Sequence, residues 1–304
     1  MIKSVTAINH LGEALKLVLS DPRATGIKVT GITGLGPVKA NINTSKVSTV
    51  DGVIFNSATV GGRNIVISTE LLELPTVEEV RLMTYRYFPT KEPVTLIFES
   101  ENRVAATRGY VESNAPELFS EKPTAQISFI CEDAYFYDVS DQAILRTVFY
   151  NIKPNFEFPF SNESLTEKLI EFGKLENKLD REIVYPGETK VGMTITIEAL
   201  GDATDLVIYN PKTNEAMRIN TTKLKTMTGF GIVAGDVIVI TTTKGNKRVI
   251  LRRNGATLNI RNALERTSSW LQFNKGTNVL AYDAKTGVAN LQITIESQIL
   301  YEGL

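Results

Sequence analysis

RVILRRNGATLNI, residues 248–260, decides the fold class. Val, Ile and Leu dominate its first limb, Asn254-Gly255 follows, and a second short apolar–polar limb returns. Asn-Gly accepts the positive φ at both central positions of a two-residue turn, and such a turn matches the twist of paired strands. The stretch is therefore read as a β-hairpin. Working outward, short runs of the same kind recur: NIVIST (64–69), VTLIF (94–98), AQISFI (125–130), MTITIEA (193–199), DVIVITT (236–242), KRVIL (247–251) and LQITI (291–295). Several alternate apolar with polar, as strands with one buried and one wet face do. Turn residues separate them: Asp51-Gly52, Gly61-Gly62, the Lys244, Gly245, Asn246 triplet, and the stretch 283–287. The class is mainly β.

One strong helix interrupts the pattern. Thr76 precedes Glu79 by three residues, a capping box in which each side chain serves a free N–H at the helix start. Val77, Val80, Met83, Tyr87 and Phe88 then share one face, and Pro89 stops the helix because it cannot donate the next hydrogen bond. A second, shorter helix is expected over 259–265. Alternation fades after Tyr137, and 138–155 leads into the aromatic cluster Phe156, Phe158 and Phe160. The expected domains are therefore 1–140 and 141–304, the second an all-β sandwich.

Composition restricts function. The 304 residues carry 33 basic and 34 acidic side chains, a formal charge of -1. Proteins that live on nucleic acid usually show a basic excess, because phosphate neutralisation drives their binding. Cys131 and His10 are the only residues of their types, so neither an intrachain disulfide nor a usual zinc site can be assembled. No metal, cofactor or membrane span is expected, and the opening segment lacks the features of a signal peptide. Synthesis in a cytoplasm follows.

The candidate chemistry reduces to bland structure at each position. GITGLGP (31–37) places Gly31, Gly34 and Gly36 out of the G-x-G-x-x-G order and lacks a following GK[ST]; it reads as a tight turn before VKANINTS (38–45). Cys131 ends ISFIC and behaves as a small buried hydrophobe, so pairing with His10 as a nucleophile and base is disfavoured. Glu99 and Glu101 are the carboxylates to inspect for glycoside hydrolysis, yet they sit at a solvated strand end. Trp270 and the run Tyr135, Phe136, Tyr137 suit sugar stacking, although a lone tryptophan more often fills a core. No catalytic residue is assigned.

Read in order, ITGLGPVKANINTS (32–45), DGVIFNSATVGGRNIVIS (51–68), EEVRLMTYRYFPTKEPVTLIFE (78–99), RGYVESNAPELFSE (108–121), AQISFICEDAYFYD (125–138), FEFPFSNESL (156–165), GNKRVILRRNG (245–255) and LQITIESQILYEGL (291–304) resemble the distal tail (Dit) family of siphophages infecting Gram-positive hosts. The opening MIKSVTAINHLGEALKLVLSDP and the stretch 138–153 depart from that pattern.

The resemblance implies a virion tail-tip protein with two domains. Its N-terminal part would be a tail-tube-like β-sandwich or split barrel with one helix, closing as six copies into a ring. Its C-terminal part would be a galectin-like or carbohydrate-module-like sandwich facing outward. Implied partners are further copies of itself, the tail-tube protein, the tail-associated hub protein, and receptor-binding proteins or host cell-wall glycan. DNA would pass through the channel without specific binding. Candidate ring or tube contacts are Asp51, Phe55, Asn56, Arg63, Thr76, Arg81 and Tyr85, and Trp270 is the candidate sugar-stacking residue. The alternative function is a module that recognises cell-wall sugars; an enzyme using Glu99 or Glu101 ranks last.

Overall fold

The computed structural model describes residues 1–46, 48, 51–117, 119–120, 122–149, 152–154, 173–175 and 180–304. The aromatic cluster at Phe156, Phe158 and Phe160 lies outside them. Two compact units emerge: Met1–Ala143 together with Leu300–Leu304, and Ile144–Ile299. The second is thus inserted in sequence between parts of the first.

In the first unit the strands are β1 (Ile2–Ile8), β2 (Ala14–Val18), β3 (Ile27–Thr33), β4 (Ala40–Ser45), β5 (Ile54–Val60), β6 (Arg63–Leu71), β7 (Pro93–Ser100), β8 (Val104–Pro116), β9 (Thr124–Cys131) and β10 (Phe136–Asp138). A helix, α1 (Val77–Tyr87), lies between β6 and β7. The main sheet runs β2-β1-β7-β8-β9-β6-β3 and ends at β2 and β3, so its hydrogen-bonded order is open rather than closed into a barrel. Antiparallel register stacks apolar residues across neighbours: Ile65 lies opposite Phe129, Phe129 opposite Val111, and Val5 opposite Phe98. All five are buried, and such cross-strand pairs are what fix a register.

The helix forms where the capping box placed it. Thr76 Oγ1 accepts from the Glu79 N–H at 3.3 Å and Phe88 closes the last turn on the Thr84 carbonyl. Val80, Thr84 and Phe88 are buried, and the Phe88 ring meets Phe129 edge-on at 5.8 Å.

The second unit is a β-sandwich. Its strands are β11 (Ile144–Phe149), β12 (Ile152–Pro154), β13 (Gly173–Leu175), β14 (Asp180–Tyr185), β15 (Val191–Gly192), β16 (Thr194–Ala199), β17 (Thr204–Asn210), β18 (Glu215–Arg218), β19 (Val237–Thr241), β20 (Arg248–Arg253), β21 (Ala256–Asn259), β22 (Gln272–Phe273), β23 (Gly276–Thr286) and β24 (Leu291–Gln298). One sheet runs β11-β24-β16-β19-β20-β21 and another β14-β23-β17-β18. Two rows of buried aliphatics cross the first sheet: Ile295, Ile195, Ile240, Val249, and Ile293, Ile197, Ile238, Leu251. Phe149 of the first sheet meets Tyr282 of the other at 5.7 Å, where the two inner faces touch. The RVILRRNGATLNI hairpin forms as read, with Asn254 at φ 48°, Gly255 at φ 77° and Arg253 opposite Ala256.

Two local expectations fail, and one helix had not been expected. Residues 259–265 form only a 3-10 turn, Arg261–Ala263, because Ile260 stays bound to Val249 as the hairpin ends. The real second helix is α2 (Thr221–Thr228), whose β-branched threonines mask it. Its signals were Asn220, which accepts from Lys223 N–H at 3.0 Å, and Gly229 in the left-handed region. The turn expected at 283–287 is displaced: Asp283 pairs with Val207 and Thr286 with Thr204 inside β23, and the chain turns from Gly287 onward.

Asp236 locks the end of the sandwich. Its carboxylate has no exposed surface, receives Arg253 Nε at 2.6 Å and Nη2 at 2.5 Å, and accepts from Val233 N–H at 2.9 Å. Removing one partner of a buried pair strands the other. Asp236→Ala is therefore expected to cost about 3–5 kcal/mol in urea unfolding of the second unit.

Candidate functional site

The candidate contact residues fall in three places within the first unit, and one of them overturns its assignment.

The first place is an arm. Strands β4 and β5 pair only with each other, with Ile42 opposite Ala58 and Thr44 opposite Phe55. Every residue of β4 is exposed, as is all of β5 except half-buried Val60. Ile42 is 62% exposed, Ile54 56% and Phe55 63%. Asn43 donates to Ser57 Oγ at 3.1 Å and Asn56 to Ser45 Oγ at 2.6 Å. Asp51 lies exposed between the strands. A lone two-stranded ribbon is marginal in water, and this one holds three large apolar side chains that its own unit leaves uncovered. Phe55 and Asn56 were named from sequence. Ile42 stood outside the candidates, and Ile54 lies in the stretch 51–63, whose loop-like composition concealed the strand Ile54–Val60 within it.

The second place is α1. Thr76 caps it, Arg81 pairs with Glu78, and the Arg81 guanidinium lies 5.7 Å from the Tyr85 ring, which is 39% exposed. Leu82, also missed, is 53% exposed and lines a shallow cleft of about 370 Å³ with Glu79, Met83, Arg86 and Tyr87. Arg86 pairs with Glu13, and Asn9 donates both to Glu13 and to the Arg86 carbonyl, tying the β1–β2 turn to the helix end. The Arg86 and Asn9 hydrogen bonds hold the Glu13 carboxyl down at about 2.

The third place is Arg63, and there the expected surface contact is corrected. Arg63 is 2% exposed. Its five N–H donors make five hydrogen bonds, all to carbonyls: Nε and Nη2 to Ala134 at 3.1 and 2.7 Å, Nη2 to Glu302 at 2.6 Å, and Nη1 to Gly34 and to Gly36, the latter at 2.7 Å. The guanidinium lies 4.1 Å from the centre of the Phe136 ring. Burial lowers its pKa. The reason sequence pointed outward is that arginine is rarely buried unless fully hydrogen-bonded, and carbonyl partners leave no sequence signature. The glycine cluster is part of this device. Gly34 has φ 83°, and a Cβ there would fall 2.0 Å from the Asn64 carbonyl oxygen, so only glycine fits.

The remaining candidates are dispersed. Glu99 accepts from Ser4 Oγ at 2.9 Å and Lys16 Nζ at 3.1 Å, which lowers its pKa, the opposite of what a general acid needs. Glu101 lies 3.7 Å from the terminal ammonium. Cys131 is buried and burial raises its thiol pKa, while His10 sits exposed in the β1–β2 turn. Phe136 is buried under Arg63 rather than displayed. Trp270 does not fill the core: it is half-buried, with Lys247 Nζ and the Arg261 guanidinium each 5.6 Å from its ring. Among the described residues no cluster of His, Cys, Asp or Glu could hold a metal, and no helix is long and apolar enough to cross a membrane.

Residues 23–131 match the phage tail protein RIFT-related domain family. No curated protein matches the chain. Among solved structures, the Dit protein of phage SPP1, described as a paradigm of the hub adsorption apparatus in phages infecting Gram-positive bacteria, is 12% identical with a TM-score of 0.62; the alignment covers 97% of this chain and 98% of that one. A chain in the structure of the phage P2 baseplate in its activated conformation with Ca is 12% identical at a TM-score of 0.46, with 97% of this chain and 98% of that one covered.

Two outcomes follow from this geometry. Arg63→Met leaves the carbonyls of Gly34, Gly36, Ala134 and Glu302 without their donor at about 1–3 kcal/mol each, so denaturant melts should lose roughly 3 kcal/mol or more. The exposed control Arg108→Met should move stability by less than about 0.5 kcal/mol. Because the folded pKa of Glu13 is depressed to about 2 from its ordinary 4.5, its tether to Arg86 is present above that ordinary value and lost as pH falls through about 2. NMR shifts of the Arg86 side chain should titrate in that window and stop doing so in Glu13→Gln.

Proposed function

We propose, for a chain whose residues 23–131 match the phage tail protein RIFT-related domain family and whose fold is like that of the SPP1 Dit protein, a structural rather than a catalytic role: copies of it close into a ring, six in number, that joins the tail tube to the tip hub and carries the host-adsorption proteins. The observation that supports this reading is the β4–β5 arm. An exposed ribbon with Ile42, Ile54 and Phe55 uncovered is a poor end state for a monomer. Its strand edges carry free backbone donors and acceptors of the kind that continue a sheet into a neighbour.

A ring needs two different complementary surfaces on each subunit and a rotation that closes. The arm supplies one surface, and α1, with the cleft at exposed Leu82 and with Tyr85 exposed outside it, is the candidate for a second or for contact with the tube. The hub protein and the receptor-binding proteins are further partners in this reading, and DNA passes through without being held. Recognition of wall sugar through the second unit is the alternative, and half-buried Trp270 is the observation that keeps it in view.

Light scattering of the purified chain with negative-stain imaging tests the ring. The expected species has about six times the 33.6 kDa chain mass and a central hole; a chain that stays monomeric at every concentration, alone and with tail tubes, contradicts it. Burying a side chain such as Phe55 stabilises by about 1.5–3 kcal/mol. Phe55→Asp should therefore weaken association roughly tenfold to a hundredfold while leaving the thermal melt of the subunit within a few degrees.

A further inference from the structure

We propose that the second unit carries a binding site for an anionic, polyhydroxylated polymer, a glycopolymer with repeating phosphodiesters, centred on Trp270 between Lys247 and Arg261. The inference rests on the alternative reading, recognition of wall sugar through the second unit at Trp270, and gives that site its ligand class; it is independent of the ring.

The near-zero charge of the whole chain conceals a local excess. Residues 244–264 contain Lys244, Lys247, Arg248, Arg252, Arg253 and Arg261 and not one acidic residue. Arg253 is neutralised by Asp236. The others have no ion-pair partner among the described residues, and Lys244, Lys247, Arg248 and Arg261 are exposed. The fold gathers those four. Lys244, Lys247 and Arg248 lie in the β19–β20 turn and at the start of β20. The register pairs Ile250 with Asn259 and continues with Ile260 N–H on the Val249 carbonyl at 2.9 Å. Arg261 follows at once as the first residue of the 3-10 turn, where the hairpin ends. Glu296, which shares the same cross-sheet row through Thr194 and Thr241, is engaged by Arg146 at 3.3 Å.

The indole organises two of these cations. Lys247 Nζ and the Arg261 guanidinium each lie 5.6 Å from the Trp270 ring centre, so they stand no farther apart than twice that distance. The electron-rich ring face attracts both and holds them in place despite their mutual repulsion. Like charges brought together at a surface without a counter-charge are unfavourable unless something anionic binds there. The chain neighbours of the site, Asn246, Asn262, Thr267 and Ser269, are exposed and polar, suited to hydroxyl groups. A single-stranded nucleic acid is less well matched: such sites present successive stacking faces, and these segments offer no second exposed aromatic beside Trp270.

Trp270 is the only tryptophan in the chain, so its emission reports on the site directly. The full-length protein would be titrated with poly(glycerol phosphate), neutral dextran, a single-stranded oligonucleotide and polyglutamate. The expected result is a saturable emission change with poly(glycerol phosphate), none with dextran, and weakening as salt screens the charges. The double variant K247E/R261E, at exposed positions and checked by circular dichroism for an unchanged fold, should bind at least tenfold more weakly; K275E should bind like the parent. No emission change with poly(glycerol phosphate), or equal binding by the double variant, overturns the site. Tighter binding of the oligonucleotide or of polyglutamate overturns the ligand class.

Discussion

A buried guanidinium surrounded by carbonyl oxygens is the constraint on which the first unit depends. Arg63 begins β6, yet its partners come from the turn after β3, from the loop before β10 and from the last residues of the chain. Burying a cation costs several kcal/mol after relaxation, and only a full set of hydrogen bonds with an aromatic face beneath offsets that cost. The geometry therefore has to be met as a whole. The C-terminus is drawn into the same arrangement: Tyr301 donates to Asp138 at 2.6 Å, Arg103 lies 4.3 Å from the Tyr301 ring and donates to the Gly303 carbonyl, and Leu300–Tyr301, the last strand β25, pairs with β10. The chain leaves the first unit after Ala143 and returns at Leu300.

That anchoring gives the arm its meaning. β5 ends at Val60 and β6 starts at Arg63, so the exposed ribbon springs from the most heavily hydrogen-bonded side chain of the unit. Gly62 makes the close passage possible, since a Cβ there would fall 2.6 Å from the Cys131 carbonyl oxygen. In the proposed assembly a rigid root with an uncovered apolar ribbon lowers the ordering cost of association, and burial of Ile42, Ile54 and Phe55 would fall to the partner.

Where period and turn chemistry carried the signal, the sequence was readable. The Asn254-Gly255 hairpin, the capped helix after Thr76 and the aliphatic rows of the sandwich follow from local pattern. α2 was hidden because four threonines outweighed its Asn220 and Gly229 caps. Asp283, Ala284, Lys285 and Thr286 look like a turn yet complete a long strand, since β17 offers them partners no local window contains. Arg63 and Trp270 were both misjudged on burial, in opposite directions, for one reason: the groups that decide them, backbone carbonyls for one and two cations from separate loops for the other, are distant in the chain. The basic cluster escaped notice because whole-chain charge averages it away.

Hydrogen–deuterium exchange on the isolated protein and on intact tails tests the assembly account most directly. If the ribbon is completed by a neighbouring subunit, amides of β4 and β5 that exchange within seconds in the free chain become protected by orders of magnitude in the tail, while the sandwich changes little. Equal, rapid exchange of those amides in both states would contradict it.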